Sequence, residues 1–243
     1  MVQVIFTFDV EQDCPPFASS TRGMEEGLPL VMDLLEDNGI KGTFLFTGRM
    51  AEKFPELARR AAKKHELGCH GLEHERFDRL PGGEEVRRRL SEAREILSRF
   101  GKVVSFRAPN FQFPDEYYPI LKELGFLVDS TKAKHKGWRG EVSEISGLLE
   151  VPATTTSIVT RLPWTLQKSF HKRFEDPIVY IFHPWEFVRM SKRLRPDCWF
   201  GTGKSALENL RRLIEFHISR DAEFLTLREF YHEYQKLKRE GEL

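Results

Sequence analysis

Asp9, Glu11 and Asp13 alternate with other residues directly after the apolar run at positions 4–8. Like charges set so close repel one another unless a cation or solvent offsets them. His70 and His74, in the stretch CHGLEH, have the i, i+4 spacing that lets two imidazoles reach one ion. With one of the carboxylates they would make a set of two imidazoles and one carboxylate that leaves positions open for water and substrate, as catalytic divalent sites require. The stretch is not HExxH, because Glu73 falls one place late, and a thermolysin-type peptidase is disfavoured. Arg107, Asp129 and His183 follow apolar runs in the same way and could bind charge or move protons.

The elements that would position these groups alternate along the chain. Strand-like runs occupy residues 2–8, 43–47, 67–70, 103–106, 126–129, 178–182 and 223–225. Helix-like segments lie between or after them at 23–38, 55–64, 84–100, 115–124, 205–216 and 227–238, the stripe Val86, Leu90, Ala93, Leu97 being the clearest. Residues 131–163 break the rhythm and are predicted to hold small strands or a substrate loop. Repeated strand–helix units predict a parallel sheet in a single domain over residues 1–243, either a barrel-like ring or an open doubly wound sheet. In both architectures active sites gather at the C-terminal ends of strands. Five of the runs end in a titratable or metal-ligating group at that edge.

Composition narrows the function classes. Lys plus Arg number 38 against 37 Asp plus Glu, a net charge of +1, so no overall bias points to nucleic acid or an anionic membrane. Arg59-Arg60 and the run Arg87-Arg88-Arg89 read as solvated helix faces. Cys14, Cys69 and Cys198 form neither a disulfide framework nor a CxxC pattern, which favours a reducing compartment. The first apolar stretch does not resemble a signal peptide, and no run reaches the ~18–20 apolar residues of a membrane helix. The chain is therefore expected to be soluble and cytoplasmic.

Together these stretches resemble the motifs of the polysaccharide deacetylase family (carbohydrate esterase family 4). TFDVE at Thr7–Glu11, HGLEH at His70–His74, RAPN at Arg107–Asn110, VDS at Val128–Ser130 and FHPWE at Phe182–Glu186 follow the family's motif order, and LLEDNGIKGTFLFTG at Leu34–Gly48 resembles its second strand–helix unit. The resemblance implies an irregular (β/α)7 barrel. It also implies a divalent metal, zinc first with cobalt, nickel or manganese as alternatives, and hydrolysis of N-acetyl groups on an amino sugar or glycan precursor. Asp9 would be the general base, His70 and His74 metal ligands, Arg107 the residue holding Asp9, Asp129 the residue orienting His183, and His183 the acid that protonates the leaving amine. A carboxylate base and an imidazolium acid suit that chemistry near neutral pH.

The sequence departs from the motifs in two places. Val10 stands where the family usually has a second aspartate, so the carboxylate ligand is Glu11 or Asp13. Asn110 stands where an aromatic usually follows the proline, which leaves Phe111, Phe113, Trp164 and Trp185 as candidates for stacking on a sugar, with Asn110, Phe111 and Trp185 foremost. Two other readings stay open: an amide hydrolase acting on a non-sugar substrate such as a cyclic ureide, and a carbohydrate-binding homologue without catalysis.

Overall fold

A computed structural model describes residues 1–242. The chain begins with β1 (Gln3–Val10), whose buried residues alternate between two faces. Val4, Phe6, Phe8 and Val10 pack outward under the helices, whereas Ile5 joins the interior cluster. By the same period of two, Thr7, Asp9 and Glu11 share the face of Ile5. The acidic row thus rises from the barrel interior towards its mouth.

Around β1 the sheet runs β2 (Thr43–Phe46), β3 (Glu66–Cys69), β4 (Ser105–Phe106), β5 (Val128–Asp129) and β7 (Leu148–Glu150) on one side and β8 (Ile178–Phe182) on the other, all parallel. β6 (Ser143–Ile145) pairs antiparallel with β7, and β9 (Glu223–Leu225) pairs with the start of β1. Beyond β7, Thr154 N–H donates to the Val179 carbonyl and the Thr154 hydroxyl accepts from Val179 N–H, both at 2.9 Å. The curled sheet therefore closes on its irregular side without a regular ladder. This is the distorted single-domain barrel implied by the motif resemblance.

The outer layer is held by α1 (Leu28–Asp37), α2 (Gly48–Lys53), α3 (Pro55–Lys64), α4 (Gly83–Ser98), α5 (Tyr118–Glu123), α6 (Ser157–Arg161), α7 (Trp164–His171), α8 (Pro196–Trp199) and α9 (Lys204–Ile218). Phe8 stacks on Phe44 at 4.7 Å and on Phe182 at 5.3 Å, and burying each such ring contributes about 1.5–3 kcal/mol. α10 (Leu227–Glu240) instead plugs the N-terminal end of the barrel, with Leu227 and Phe230 among Ile5, Val128, Leu149, Val151 and Val179. Its first turn is fixed by a Thr226–Glu229 capping box and by Glu66, which accepts from Arg228 N–H at 3.0 Å, from Thr43 at 2.8 Å and from Ser105.

Several boundaries differ from the sequence expectation. Segment 23–38 opens with a π-turn at Gly23–Gly27 before α1, and Gly23 lies so close to the Trp185 backbone that no side chain would fit. Segment 131–163 holds the β6–β7 hairpin and α6, and α2 and α7 were not anticipated. Cys14 and Cys198, expected to be free, form a disulfide that joins the loop after β1 to α8. Their 184-residue separation gave no local spacing pattern to read. Cys69 alone is a free thiol, and it is buried. No described helix is long and apolar enough to cross a membrane.

Candidate active site

The C-terminal edge of the barrel opens into a cavity of about 400 Å3 whose wall includes Asp9, Glu11, His70, His74, Asn110, Phe111, His183 and Trp185. Each ligand candidate arrives from a different local structure. Glu11 continues β1, and His70 follows β3 with its Nδ1 at 2.8 Å from the Arg107 carbonyl, which turns Nε2 to the cavity. His74 is brought back by a tight turn with Gly71 at φ +80° and His74 itself at φ +66°. Glu75 closes that turn by accepting from Leu72 N–H at 3.0 Å and Glu73 N–H at 2.7 Å.

Glu11, His70 and His74 converge so that one donor atom from each lies within 4.8 Å of the others. Glu11 Oε2 is 2.7 Å from His74 Nε2 and 3.5 Å from His70 Nε2, yet it is buried without a hydrogen-bond partner. A buried carboxylate oxygen left without a donor is costly. An ion seated among the three would satisfy it, so the set fits a divalent metal.

Asp13 is not part of this group. Its carboxylate accepts from Ser20 Oγ at 2.6 Å, Arg22 N–H at 3.0 Å and Gly23 N–H at 2.8 Å, stapling the loop after β1. The alternative between Glu11 and Asp13 therefore falls to Glu11 on geometry, because period-two alternation carries Glu11 inward and the turn at Cys14 (φ +43°) commits Asp13 to the loop.

Asp9 sits beside the ligand set, with Oδ1 accepting from Arg107 Nη1 at 2.8 Å. Arg107 is fully buried and spends its remaining donors on Thr7, the Ser130 carbonyl and the Ser130 hydroxyl. Burial alone would raise the Asp9 pKa, but the charges of Arg107, His70 and His183 outweigh it and hold Asp9 below the usual carboxylate range. Glu11 is also lowered, burial being overcome by His74 and His70. His183 Nε2 faces both acids, at 4.0 Å from Asp9 and 3.9 Å from Glu11. Burial disfavours its charge, yet the hydrogen bond to Glu186 and the nearby Glu11 and Asp9 push its pKa up to about 9.

The partner of His183 is a correction to the sequence reading. Asp129 does not reach it. Its carboxylate accepts from Tyr118 Oη at 3.0 Å and Thr131 Oγ1 at 2.7 Å and lies beside Glu150, its register partner on β7. Burial and the Asp129 charge raise the Glu150 pKa well above the ordinary value. The residue at 2.9 Å from His183 Nδ1 is Glu186, three positions along in FHPWE. That spacing on a short helical turn was the available signal.

Of the aromatic candidates, Phe111 and Trp185 line the cavity. Trp185 stacks on His183 at 5.0 Å, and its indole N–H points to Glu11 Oε1 at 3.4 Å. Asn110 and Phe111 both have positive φ, +58° and +59°, which carries the chain over the mouth. Phe113 is buried among Phe77, Phe106 and Tyr118, and Trp164 packs on His171 and Phe216, so neither forms a sugar wall.

Comparison with known proteins gives a family match and a fold match. The family model described as polysaccharide deacetylase matches residues 3–128. A peptidoglycan-N-acetylglucosamine deacetylase from Bacillus cereus is 28% identical over 118 residues, covering 47% of this chain and 42% of that protein, so the chain matches under half of its relative's length. Among solved structures, a Mycobacterium smegmatis protein described by the polysaccharide deacetylase name superposes with a TM-score of 0.73 at 20% identity, covering 97% of this chain and 91% of that one. A carbohydrate esterase family 4 pseudoenzyme from Bacillus anthracis superposes with a TM-score of 0.65 at 17% identity, covering 94% and 65%.

Proposed function

The chain belongs to the polysaccharide deacetylase family, and on that premise we propose that it is a metal-dependent hydrolase removing an N-acetyl group from an amino sugar. The observation that carries this reading is the convergence of Glu11, His70 and His74, with the orphaned Glu11 oxygen at its centre and Asp9 and His183 on its flanks. Two imidazoles and a carboxylate suit zinc. Such an ion, when bound, acidifies water and polarises the acyl oxygen.

The protein side of the reaction follows from the hydrogen bonds. Asp9, kept ionised by Arg107, takes the proton of the attacking water. His183, kept protonated by the acids around it, gives a proton from Nε2 to the departing amine. Glu186 accepts from Nδ1–H and so fixes the ring with Nε2 towards the cavity, a positioning role. Phe111, on the cavity wall, offers its ring to the sugar. The B. anthracis pseudoenzyme warns that the fold alone does not guarantee turnover, whereas here the base, the acid and three ligands are all present.

Acetate release from N-acetylated oligosaccharides by zinc-reconstituted protein tests the proposal. Asp9→Asn and His183→Ala should each abolish release while keeping the fold. Full activity in both variants would refute it, and ammonia rather than acetate from a non-sugar amide would replace the substrate class.

A further inference from the structure

The near-neutral charge of the chain hides an uneven distribution. Residues 131–140 hold Lys132, Lys134, Lys136 and Arg139, and residues 189–195 hold Arg189, Lys192, Arg193 and Arg195, with no Asp or Glu in either segment. Without these eight, 30 Lys and Arg would face 37 Asp and Glu in the rest of the chain. Both segments border the cavity, one through His135 and Lys136 and the other through Arg195. Among the described residues, Lys136, Arg139, Arg189, Lys192 and Arg193 are exposed and form no ion pair.

The cavity wall itself leans the same way. Its acids are taken up elsewhere: Asp9 pairs with Arg107, Glu11 belongs to the candidate metal set with the two imidazoles, and Asp197 pairs with Arg195 at 3.0 Å. Its cations are not fully matched. Lys136 has no partner, and Arg161, only 4% exposed, stands 3.9 Å from Glu186 Oε2 without a hydrogen bond to it. The other oxygen of Glu186 is held by His183, and Arg161 donates from Nε and Nη1 to the carbonyls of Ser157 and Phe200, which leaves Nη2. A buried guanidinium that shares Glu186 with His183, on the same cavity wall as an unpaired lysine, is an arrangement that recognises a multiply charged anion.

From this juxtaposition we propose that the substrate is an N-acyl amino sugar bearing a phosphate or diphosphate, bound with its anionic group between Arg161, Lys136 and Arg195. The exposed cations of the two rim segments draw such a substrate to the mouth. The proposal rests on the deacetylase reading of the same site and goes further by naming the charge that the substrate carries.

Binding to the zinc-loaded Asp9→Asn protein, where no turnover is expected, tests it apart from catalysis. N-acetylglucosamine 1-phosphate should bind at least about tenfold tighter than N-acetylglucosamine, the effect of one charge-assisted hydrogen bond. In a Lys136→Glu/Arg195→Glu background, two exposed changes, that preference should vanish while affinity for the neutral sugar stays. Comparison of the nucleoside diphosphate and polyprenyl diphosphate esters then identifies which source supplies the anion. Equal binding of neutral and phosphorylated sugars overturns the proposal, as does a preference that survives in the double variant. Equal affinity for a carboxylated N-acetyl sugar, or tighter binding of duplex DNA or phosphatidylglycerol vesicles that the sugar phosphate cannot displace, also overturns it. Selective phosphate binding without acetate release by the wild type would overturn the deacetylase reading and leave the anion site standing.

Discussion

The mouth of the barrel and its scaffold bury ionisable groups to a similar depth with opposite results. In the scaffold, burial wins: Glu66 is raised, and His171 and His217 are lowered to about 4 and about 3. Hydroxyls and backbone N–H groups satisfy Glu66, while Tyr180 Oη lies at 3.0 Å from His171 and 2.9 Å from His217. At the mouth, opposite charges converge and overcome burial, so Asp9 and Glu11 are lowered and His183 is raised. Burial by itself drives side chains neutral. Groups held charged inside a fold mark the place where charge has a use.

The sharpest way to break the contrast is at Glu11. Glu11→Ala should remove bound zinc, measured by elemental analysis, and lower acetate release by more than about 1,000-fold. Retention of zinc would show that the mouth does not depend on this carboxylate. Next comes the positioning group. Glu186→Gln should lower kcat by about 10- to 100-fold with KM and zinc content unchanged, whereas Asp129→Asn should mainly cost stability. The reverse ranking would restore the partner that the sequence first suggested.

The scaffold should respond in the other currency. Glu66→Ala leaves Thr43, Ser105 and Arg228 N–H without their acceptor and opens a cavity, so a loss of about 3–5 kcal/mol is expected. For a chain of this size that corresponds to a melting point lower by about 10 °C, with metal affinity unaffected. The smallest effect concerns pH. His171 and His217 have folded pKa values below the unfolded value of about 6.5, so the unfolded chain binds more protons in between. The stability from keeping them neutral is full above about 6.5 and is lost as pH falls through about 4 and about 3. The melting temperature should fall between pH 7 and pH 4, and His217→Gln should flatten that slope; an unchanged slope would remove His217 from the account.

Much of this was legible from residue types. The stretch TFDVE brought Asp9 and Glu11 to the end of the first strand, and the apolar runs located the parallel strands outside segment 131–163, because both signals are local. Asp129 and Glu186 were not distinguished, since each lies beside a motif and only three-dimensional proximity tells which oxygen meets Nδ1. Asp13 looked equivalent to Glu11 until the loop's own N–H groups claimed it. The disulfide and the cationic rim were hidden for a related reason: both join segments far apart in the chain, and summed charge erases position.

β1 pairs with β2, β8 and β9, and that has a consequence for how the protein is made. β1 finds two of its three neighbours only after Phe182 and Leu225 have been added. At typical elongation rates β1 waits roughly 10–30 s for β8 with its apolar residues unpaired. Nascent chains of this protein should therefore depend on shielding by a holding chaperone until β8 and β9 have emerged.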